Sequence, residues 1–261
     1  MFESGSKTCC LISGASRGFG RSVAVALAGQ FSDSGTKGHF ILISRSGDDL
    51  EETRNTIIQV CATAEVHIVI ANLGEMNTLD QTLKTAFSKV DPSKVTHALL
   101  VNNAGSIGDV SKDTKDVSQD VSSLQDYFNL NLTSPMFLTS KFLQQFKEAS
   151  CTVVNVSSLM AVQAFPYFSL YCTGKAARDM MCQVLAKEEP NVRVLNYAPG
   201  PLLTNMYETI RTTCGNHEVV EMFNTSKEEN KVLSPDESAR KLLIILKENT
   251  FTSGSHVDYF D

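Results

Sequence analysis

The chain has 261 residues, of which 42% are hydrophobic and 20% are charged, and its formal net charge is −6 at pH 7. This composition is that of an ordinary globular protein, and the length allows one large domain or two smaller ones. The negative charge excludes general binding of a nucleic-acid backbone as the main function. It leaves room for a local basic cluster that holds an anionic cofactor.

The seven cysteines and five histidines do not follow the spacing of a zinc site, so we expect no metal ion. An odd number of scattered cysteines is typical of reduced thiols and favours the cytoplasm. We assign no catalytic role to the histidines. The first ten residues lack the basic and apolar parts of a signal peptide, and no run reaches the ~18 apolar residues of a membrane span.

Short apolar runs alternate along the chain with segments of helical spacing. Strands are predicted at Thr8–Ser13, His39–Ser44, Glu65–Ala71, His97–Asn102, Cys151–Ser157, Val192–Tyr197 and Gly254–Asp258. Helices are predicted at Arg17–Phe31, Asp48–Cys61, Met76–Val90, Leu124–Phe146, Tyr167–Glu189 and Pro235–Glu248. Continuous apolar runs are typical of strands that are covered on both faces, as in a parallel sheet. The alternation predicts an α/β fold with a single doubly wound Rossmann-type domain over residues 1–261, about seven parallel strands and helices on both faces.

Two stretches show no clear period, Gly105–Ser123 and Pro199–Val232. Both follow strand ends, which is where open α/β sheets build their binding sites. They are either solvated connections or parts of a site. The second is unusually long for a connection, so we consider it a lid over a substrate.

A glycine-rich turn links the first strand to the first helix, with the spacing GxxxGxG. Glycine lets the backbone turn tightly and lets a pyrophosphate approach the N-terminus of the helix. A plain strand–helix turn is the alternative, but the position on the first strand–helix unit favours a dinucleotide site. The predicted cofactor contacts in this turn are Gly14, Ser16, Arg17, Gly18, Phe19 and Gly20.

The end of the second strand reads Ser44-Arg45-Ser46, with no acid before Asp48. An acid here would bond to a ribose 2′-hydroxyl and repel a 2′-phosphate. Arg17 and Arg45 are suited to a 2′-phosphate, with Ser44 as a hydroxyl donor. The sequence therefore predicts NADPH rather than NADH, and the alternative is two arginines with no ligand.

Tyr171 and Lys175 form a YxxxK motif in a predicted helix, and a spacing of four places both on one face. A phenol ordinarily titrates near pH ~10, and a neighbouring ammonium favours the phenolate. Tyr171 is then a suitable acid for a carbonyl oxygen. Ser158 ends the fifth strand, where a hydroxyl can hold the same oxygen. Each motif is weak alone, since a helical tyrosine and a strand-ending serine are both common.

Asn131 interrupts a long helical pattern, where asparagine is unfavourable. We expect it to bend the helix and to hold a water molecule beside Lys175, and the alternative is a tolerated residue on a solvated face. Further contacts with a cofactor are predicted where the fourth and sixth strands end, at Asn102, Ala104, Gly105, Pro199 and Gly200.

Taken in order from Gly14–Gly20 to Pro199-Gly200, these motifs resemble the short-chain dehydrogenase/reductase family over nearly the whole chain. The stretches VVNVSSLMAVQAFPYFSLYCTGKAARDMM and SGSHVDYFD resemble members that reduce ketones in pterin side chains. The resemblance implies an NADPH-dependent reductase with a pterin substrate. It also implies a homodimer in which Leu124–Phe146 and Tyr167–Glu189 pair across a two-fold axis. The alternatives are a broad carbonyl or hydroxysteroid reductase and a protein that only binds a dinucleotide.

The resemblance also implies roles for single residues. Ser158, Tyr171 and Lys175 are then catalytic with Asn131 in support, and Asp258 anchors the pterin. One carboxylate suits the 2-amino group and adjacent ring N–H of a pterin, since both donors point the same way. Asp261 is expected to be free. Further contacts with cofactor or substrate are implied at Asn72, Leu73, Leu159, Gly200, Leu202, Thr204 and Met206. Position 72 departs from the family, which usually has aspartate there, but an amide can still accept and donate.

Overall fold

A computed structural model describes residues 5–117 and 120–261. Its centre is a seven-stranded parallel sheet with the strand order β3-β2-β1-β4-β5-β6-β7. The strands are β1 (Lys7–Ser13), β2 (Lys37–Ser44), β3 (Glu65–Ile70), β4 (His97–Asn102), β5 (Ser150–Val156), β6 (Arg193–Ala198) and β7 (His256–Asp258). The predicted doubly wound α/β fold is confirmed.

Helices cover both faces of the sheet. They are α1 (Gly18–Ser34), α2 (Gly47–Val60), α3 (Met76–Phe87), α4 (Val121–Phe128), α5 (Ser134–Gln145), α6 (Ser169–Glu188), α7 (Asn205–Thr213), α8 (His217–Glu228) and α9 (Pro235–Glu248). Helices α1, α2 and α9 share one apolar core with the sheet, and α3, α5 and α6 share the other. Successive β1 residues divide between the two cores: Cys10 and Ile12 face one, while Cys9 and Leu11 face the other. This is the period of two of a strand that is buried on both faces.

The order of the strands reverses at β1, which lies between β2 and β4. In an open α/β sheet, a crevice forms at such a reversal, outside the carboxyl ends of the strands. Asn103, directly after β4, bridges these ends because its Nδ2 donates to the carbonyl oxygens of Ser13 and Gly14, at 3.0 Å each.

The stretch Pro199–Val232 contains helices α7 and α8, so the prediction of a long irregular connection was wrong. Both helices are short and largely polar, so their sequences show no clear helical period of apolar residues. Their N-termini are capped, since Thr204 accepts a hydrogen bond from the N–H of Tyr207 and Asn216 accepts one from Val219. Of the other loose stretch, Gly105–Ser123, residues 118 and 119 lie outside the described residues.

The predicted helix Leu124–Phe146 is divided into three parts. Helix α4 ends at Phe128, a π-helical turn spans Asn129–Thr133, and α5 begins at Ser134. The interruption that was predicted at Asn131 is therefore this π turn, a local widening that is often found at functional sites.

Within the described part of the chain, no helix combines the length and apolar character needed to cross a membrane. The same residues contain no group of three or more His, Cys, Asp or Glu side chains that is placed to hold a metal ion. All seven cysteines are free thiols.

Candidate active site

A cavity of about 1160 Å³ runs along the carboxyl ends of the strands, from the glycine-rich turn to the end of β7. Nearly all of the predicted site residues line it. They are Gly14, Ser16, Arg17, Gly18, Phe19, Ser44, Arg45, Asn72, Leu73, Ala104, Gly105, Asn131, Ser158, Leu159, Tyr171, Lys175, Pro199, Gly200, Leu202, Thr204, Met206 and Asp258. Two predicted contacts, Gly20 and Asn102, lie outside the lining.

Gly20 acts by packing rather than by touching a ligand. A Cβ atom at this position would lie 2.3 Å from the carbonyl oxygen of Gly14 and 2.5 Å from Nδ2 of Asn103. Glycine therefore lets α1 begin directly against the turn. Gly14 and Gly18, at φ +68° and +53°, give the turn its left-handed backbone and do line the cavity.

Asn102 points into the core rather than towards the cavity. Its Nδ2 donates to Oγ1 of Thr139 on α5 at 2.8 Å, and the side chain is 1% exposed. Because side chains alternate along a strand, the neighbouring Asn103 points the other way and lines the cavity. The sequence contains both asparagines, and the prediction chose the wrong one.

The end of the cavity near β2 has a polar, basic lining. Ser44 donates to Oγ of Ser16 at 2.8 Å, which joins the end of β2 to the glycine-rich turn. Arg17 and Arg45 line this end and are exposed. Asn72 uses its amide within its own turn, accepting from the N–H of Gly74 and donating to Glu75, both at 3.1 Å.

Tyr171, Lys175 and Ser158 meet at the other end of the cavity. Lys175 is buried, its Nζ donates to the carbonyl oxygen of Val156 at 2.5 Å, and Nζ lies 5.5 Å from the centre of the Tyr171 ring. Ser158 begins a short 3-10 turn, in which its Oγ accepts from the N–H of Met160 at 3.1 Å. It also lies close enough to the Tyr171 side chain to lower the pKa of the phenol. The structure thus brings the predicted catalytic residues together.

The electrostatics of this end differ from the sequence-based expectation. Burial raises the pKa of Tyr171, while the hydrogen bond with Ser158 and the charge of Arg178 act to lower it. Burial lowers the pKa of Lys175 well below its usual range, and the charge of Arg178 adds to this effect. Desolvation is the largest cause of both shifts, and the charge of Arg178 acts on the phenol in the direction that we expected of Lys175, whose own effect on the phenol stays a prediction.

Asn131 links the π turn to the loop after β4. Its Nδ2 donates to the carbonyl oxygen of Tyr127 at 2.9 Å, and its Oδ1 accepts from the N–H of Ser106 at 2.8 Å. The residue is 4% exposed and lines the cavity. Its predicted role in holding a water molecule beside Lys175 stays a prediction.

Asp258 is placed by the edge strand β7. It pairs in register with Ala198 at the end of β6, which puts it beside Pro199 and Gly200. Its N–H donates to Oδ2 of Asp261 at 2.8 Å. The expectation that Asp261 is free was therefore wrong, because its side chain fixes the backbone of Asp258.

This end of the cavity also has an apolar wall, of which only Met206 was predicted from the sequence. It is supplied by α7 and α8 through Met206, Tyr207, Ile210, Met222 and Phe223. The hydroxyl of Tyr207 donates to the carbonyl oxygen of Phe223 at 2.6 Å, which ties the two helices together.

Sequence reasoning also missed Arg178 and His256. Arg178 is buried on α6, and His256 lines the cavity and forms a 2.7 Å hydrogen bond with Asp179. Arg178 follows Tyr171 by seven residues and Lys175 by three, so the helical period puts all three on one face. That period is the signal by which Arg178 could have been found.

Comparison with known proteins agrees with this geometry. The profile of the short chain dehydrogenase family matches residues 8–215. The chain is 43% identical to sepiapterin reductase from Meriones unguiculatus over 264 aligned residues, covering 99% of each chain. It is 42% identical to sepiapterin reductase from Rattus norvegicus, covering 97% of this chain and 96% of that one. Benzil reductase from Bacillus subtilis is 29% identical, covering 92% of this chain and 93% of that one.

Solved structures show the same fold at lower identity. L-sorbose reductase from Gluconobacter frateurii, in complex with NADPH and L-sorbose, superposes with a TM-score of 0.78 at 21% identity, covering 99% of this chain and 97% of that one. The 3-ketoacyl-(acyl-carrier-protein) reductase from Brucella melitensis, in complex with NADH, superposes with a TM-score of 0.74 at 23% identity, covering 98% and 97%. From its matching profile, its relatives and its ordered motifs, the chain belongs to the short chain dehydrogenase family.

Proposed function

We propose that the protein reduces ketones in pterin side chains with NADPH, converting sepiapterin to dihydrobiopterin and 6-pyruvoyl-tetrahydropterin to tetrahydrobiopterin. The observation that carries the proposal is the meeting of Ser158, Tyr171 and Lys175 at one end of a cavity whose other end is a glycine-rich turn. Sepiapterin reductases about 40% identical over nearly the whole chain support the choice of substrate.

The residues present fit a dinucleotide. At Gly14 and Gly20, an added Cβ atom would collide with neighbouring atoms of the glycine-rich turn, so glycine keeps this turn compact. The turn leads into the N-terminus of α1, which favours binding of a phosphate. Arg17 and Arg45 supply the positive charge for a 2′-phosphate, which supports NADPH over NADH. Asp49 also lines this end and is the acid that would favour an unphosphorylated ribose instead. When bound, NADPH supplies the hydride to the ketone carbon.

The protein's own residues handle the ketone oxygen. Ser158 and Tyr171 donate hydrogen bonds to it, and Tyr171 passes its proton to the oxygen as the alcohol forms. The phenol of Tyr171 holds its proton at neutral pH, since burial raises its pKa, while Ser158 and the charge of Arg178 lower that pKa and so act to make the phenol a stronger acid. Lys175 is held by Val156 beside the phenol, where its remaining donors would hold a ribose hydroxyl of the bound dinucleotide. Holding the ketone between these groups is a positioning effect, which can contribute much of the rate enhancement.

Asp258 supplies the specificity for a pterin head. Asp258 lines the cavity at the end of β7, as do the apolar side chains of α7 and α8, and its Oδ1 also accepts from the N–H of Phe260 at 3.1 Å. A flat ring fits between apolar side chains, while its amino group and adjacent N–H both donate to one carboxylate. This arrangement turns the side-chain ketone towards Tyr171.

We further propose that the protein is a cytoplasmic homodimer whose domain spans residues 1–261 and includes the tail with Asp258. The seven free thiols fit a reducing compartment. On α5 and α6, the outer faces carry Met136, Met180 and Val184, which are 48%, 57% and 44% exposed. Apolar side chains of this size are suited to burial against the same helices of a second copy.

The experiment is a substrate panel that is followed by the absorbance of NADPH. The protein is mixed with NADPH and, in turn, sepiapterin, a hydroxysteroid ketone and a simple diketone. We expect rapid oxidation with sepiapterin. Oxidation with only the steroid or the diketone would establish a broad carbonyl reductase instead, and no oxidation with any of them would establish a dinucleotide-binding protein without this activity.

A further inference from the structure

His256 and Asp258 lie two residues apart on the edge strand β7, so their side chains point to the same face of the sheet. Both residues line the large cavity at the carboxyl ends of the strands. A strand rises about 3.3 Å per residue, which places the two Cα atoms within about 7 Å of each other. Asp258 therefore has a second polar side chain beside it, which the proposed pterin contacts do not include.

The ring of His256 is held by one of its two nitrogens. Nδ1 forms a 2.7 Å hydrogen bond with Oδ2 of Asp179 on α6, and Oγ of Ser157 lies 3.5 Å from the same nitrogen. Asp179 is 3% exposed, and its Oδ1 accepts from Asn155 at 2.9 Å, so the carboxylate is itself fixed. A carboxylate acceptor keeps a proton on Nδ1 and sets the orientation of the ring.

Nε2 is the ring nitrogen that is left for a ligand. It forms no hydrogen bond with the residues that the structure describes. It is also accessible, unlike Nε2 of His67, which is buried without a partner. The side chain of His256 is 19% exposed, and the residue also lines a smaller cavity of about 350 Å³ with Gln183 and Lys187. His256 thus stands between the large cavity and this outer pocket.

The charges around this ring favour its protonated form. The acids that act on it are Asp179 on α6, Asp258 on β7 and Asp261 in the tail, and Lys187 on α6 is the cation that lines the outer pocket with it. The hydrogen bond with Asp179 raises the pKa of His256, and the charges of the three acids add to this effect against burial. In the protonated ring, Nε2 is a hydrogen-bond donor.

The edge of a pterin ring calls for a donor at this place. Its 2-amino group and its N3–H form the donor pair that one carboxylate holds, as proposed for Asp258. The atoms that flank this pair on the ring are N1 and the 4-oxo oxygen, and both are hydrogen-bond acceptors. A donor beside Asp258 therefore matches the ring edge in either direction, whereas an unprotonated Nε2 would place a lone pair against it.

We propose that His256 is a substrate-binding residue, whose protonated Nε2 donates a hydrogen bond to the acceptor that flanks the donor pair on the pterin ring. This inference rests on the proposed pterin reduction and extends its binding site from one residue of β7 to two. Asp179 is the positioning residue, because it holds Nδ1 and leaves Nε2 for the ligand. The affinity for a pterin is then highest when the ring of His256 is protonated, and it falls as the pH rises through the pKa of that ring.

Two substitutions separate the ligand contact from the contact with Asp179. His256→Asn keeps an amide at the position of Nδ1 and loses Nε2, whereas His256→Gln places an amide near Nε2 and loses the contact with Asp179. Neither amide titrates. His217→Asn is the matched control, because His217 lies on α8 with 85% of its side chain exposed and is not part of the cavity lining.

The measurement is the Kd for sepiapterin by calorimetric titration from about pH 6 to about pH 9, with NADP⁺ bound because it has no hydride to transfer. For the parent protein and His217→Asn, we expect this Kd to rise about ten-fold as the ring of His256 loses its proton. His256→Asn should show the weaker Kd without this pH dependence. His256→Gln should stay within about three-fold of the low-pH Kd of the parent at every pH.

A second readout follows the ring itself. By linkage, a ten-fold preference for the protonated ring means that bound sepiapterin moves the titration midpoint of His256 up by about one pH unit. Nuclear magnetic resonance of the histidine rings measures this midpoint with NADP⁺ alone and with NADP⁺ and sepiapterin. The resonance of His256 is identified by its loss in His256→Asn.

Parental binding in His256→Asn with weak binding in His256→Gln would overturn the proposal, since only the contact with Asp179 would then matter. An unchanged His256 midpoint with sepiapterin bound would overturn it as well. If circular dichroism shows that His256→Asn does not fold, the midpoint in the parent protein decides, with the resonance identified from His256→Gln.

These measurements need no turnover, so they fail separately from the proposed reduction. A parent protein that binds sepiapterin with the expected pH dependence but does not oxidise NADPH would refute the reduction alone. Rapid reduction of sepiapterin with binding that does not depend on the protonation of His256 would refute this inference alone.

Discussion

Replacing Gly20 by alanine is the sharpest test of the structure of the glycine-rich turn. The added Cβ would lie 2.3 Å from the carbonyl oxygen of Gly14 and 2.5 Å from Nδ2 of Asn103. Neither neighbour moves freely, because Nδ2 of Asn103 donates at 3.0 Å to the carbonyl oxygens of both Ser13 and Gly14. The new methyl group must therefore displace the end of β4 from the end of β1.

The size of the effect follows from these contacts. Overpacking in a rigid site costs about 1–3 kcal/mol, and each of the two hydrogen bonds of Asn103 contributes about 1 kcal/mol. Alanine gains roughly 1 kcal/mol over glycine in a helix, which offsets part of the loss. We expect Gly20→Ala to lower the free energy of unfolding by about 2–4 kcal/mol.

Gly29, in the same helix, provides a matched control. A Cβ there would lie 3.7 Å from Cγ1 of Val60, an ordinary contact, so Gly29→Ala should raise the free energy of unfolding by about 0.5–1 kcal/mol. Denaturant unfolding gives both values, and calorimetric titration gives the affinity for NADPH. Gly20→Ala should also bind NADPH at least about ten-fold more weakly. Equal stability of the two variants, or unchanged NADPH affinity in Gly20→Ala, would refute the account of the turn.

Three further changes test the other parts of the site. Asp258→Asn should raise the KM for sepiapterin about ten-fold and the KM for a simple diketone less than about two-fold, because charge-assisted hydrogen bonds are stronger than neutral ones. An equal rise in KM for both substrates would contradict the role of Asp258 as the pterin anchor. Arg45→Ala should weaken NADPH binding about ten-fold and leave NADH binding unchanged, measured by calorimetry, and a parallel loss for both would contradict the 2′-phosphate role. His256→Gln should remove a pH dependence of stability. The hydrogen bond with Asp179 raises the pKa of His256, so its contribution is complete below the unfolded-state pKa of about 6.5 and is lost as the pH rises through the higher folded-state pKa. Denaturant unfolding at several pH values checks this, and an unchanged pH dependence in the variant would show that the pair does not stabilise the fold.

The strands and most of the helices could be predicted from the sequence because the sheet is buried on both faces. A run such as Ala98–Val101 within β4 is continuously apolar, and several of these runs are followed by a longer segment of helical spacing. Helices α7 and α8 escaped prediction because they are short and mostly polar. Their signals were local: Thr204 and Asn216 are good N-caps, and the first turn of α8 contains an acid, Glu218.

The catalytic end was predictable where chemistry and helical spacing coincide, as at Tyr171 and Lys175. Arg178 lies on the same face, but a basic residue in a helix is usually solvated, and only the packing of β4 and β5 against α6 shows that it is buried. The choice between Asn102 and Asn103 depends on the side of the sheet that each residue faces at the very end of β4. The direction of the pKa shifts depends on desolvation, which no spacing in the sequence reports.

The most direct test of the central claim is the turnover of Tyr171→Phe with sepiapterin and NADPH. Cys172→Ala is the control, since Cys172 is the next residue on α6 and does not line the cavity. General acid catalysis contributes about 10²–10⁴-fold, so kcat of Tyr171→Phe should fall by that factor while the Kd for NADPH stays within about two-fold. The control should keep nearly full turnover. Near-parental turnover of Tyr171→Phe, with NADPH binding intact, would contradict the assignment of the phenol as the acid that completes the ketone reduction.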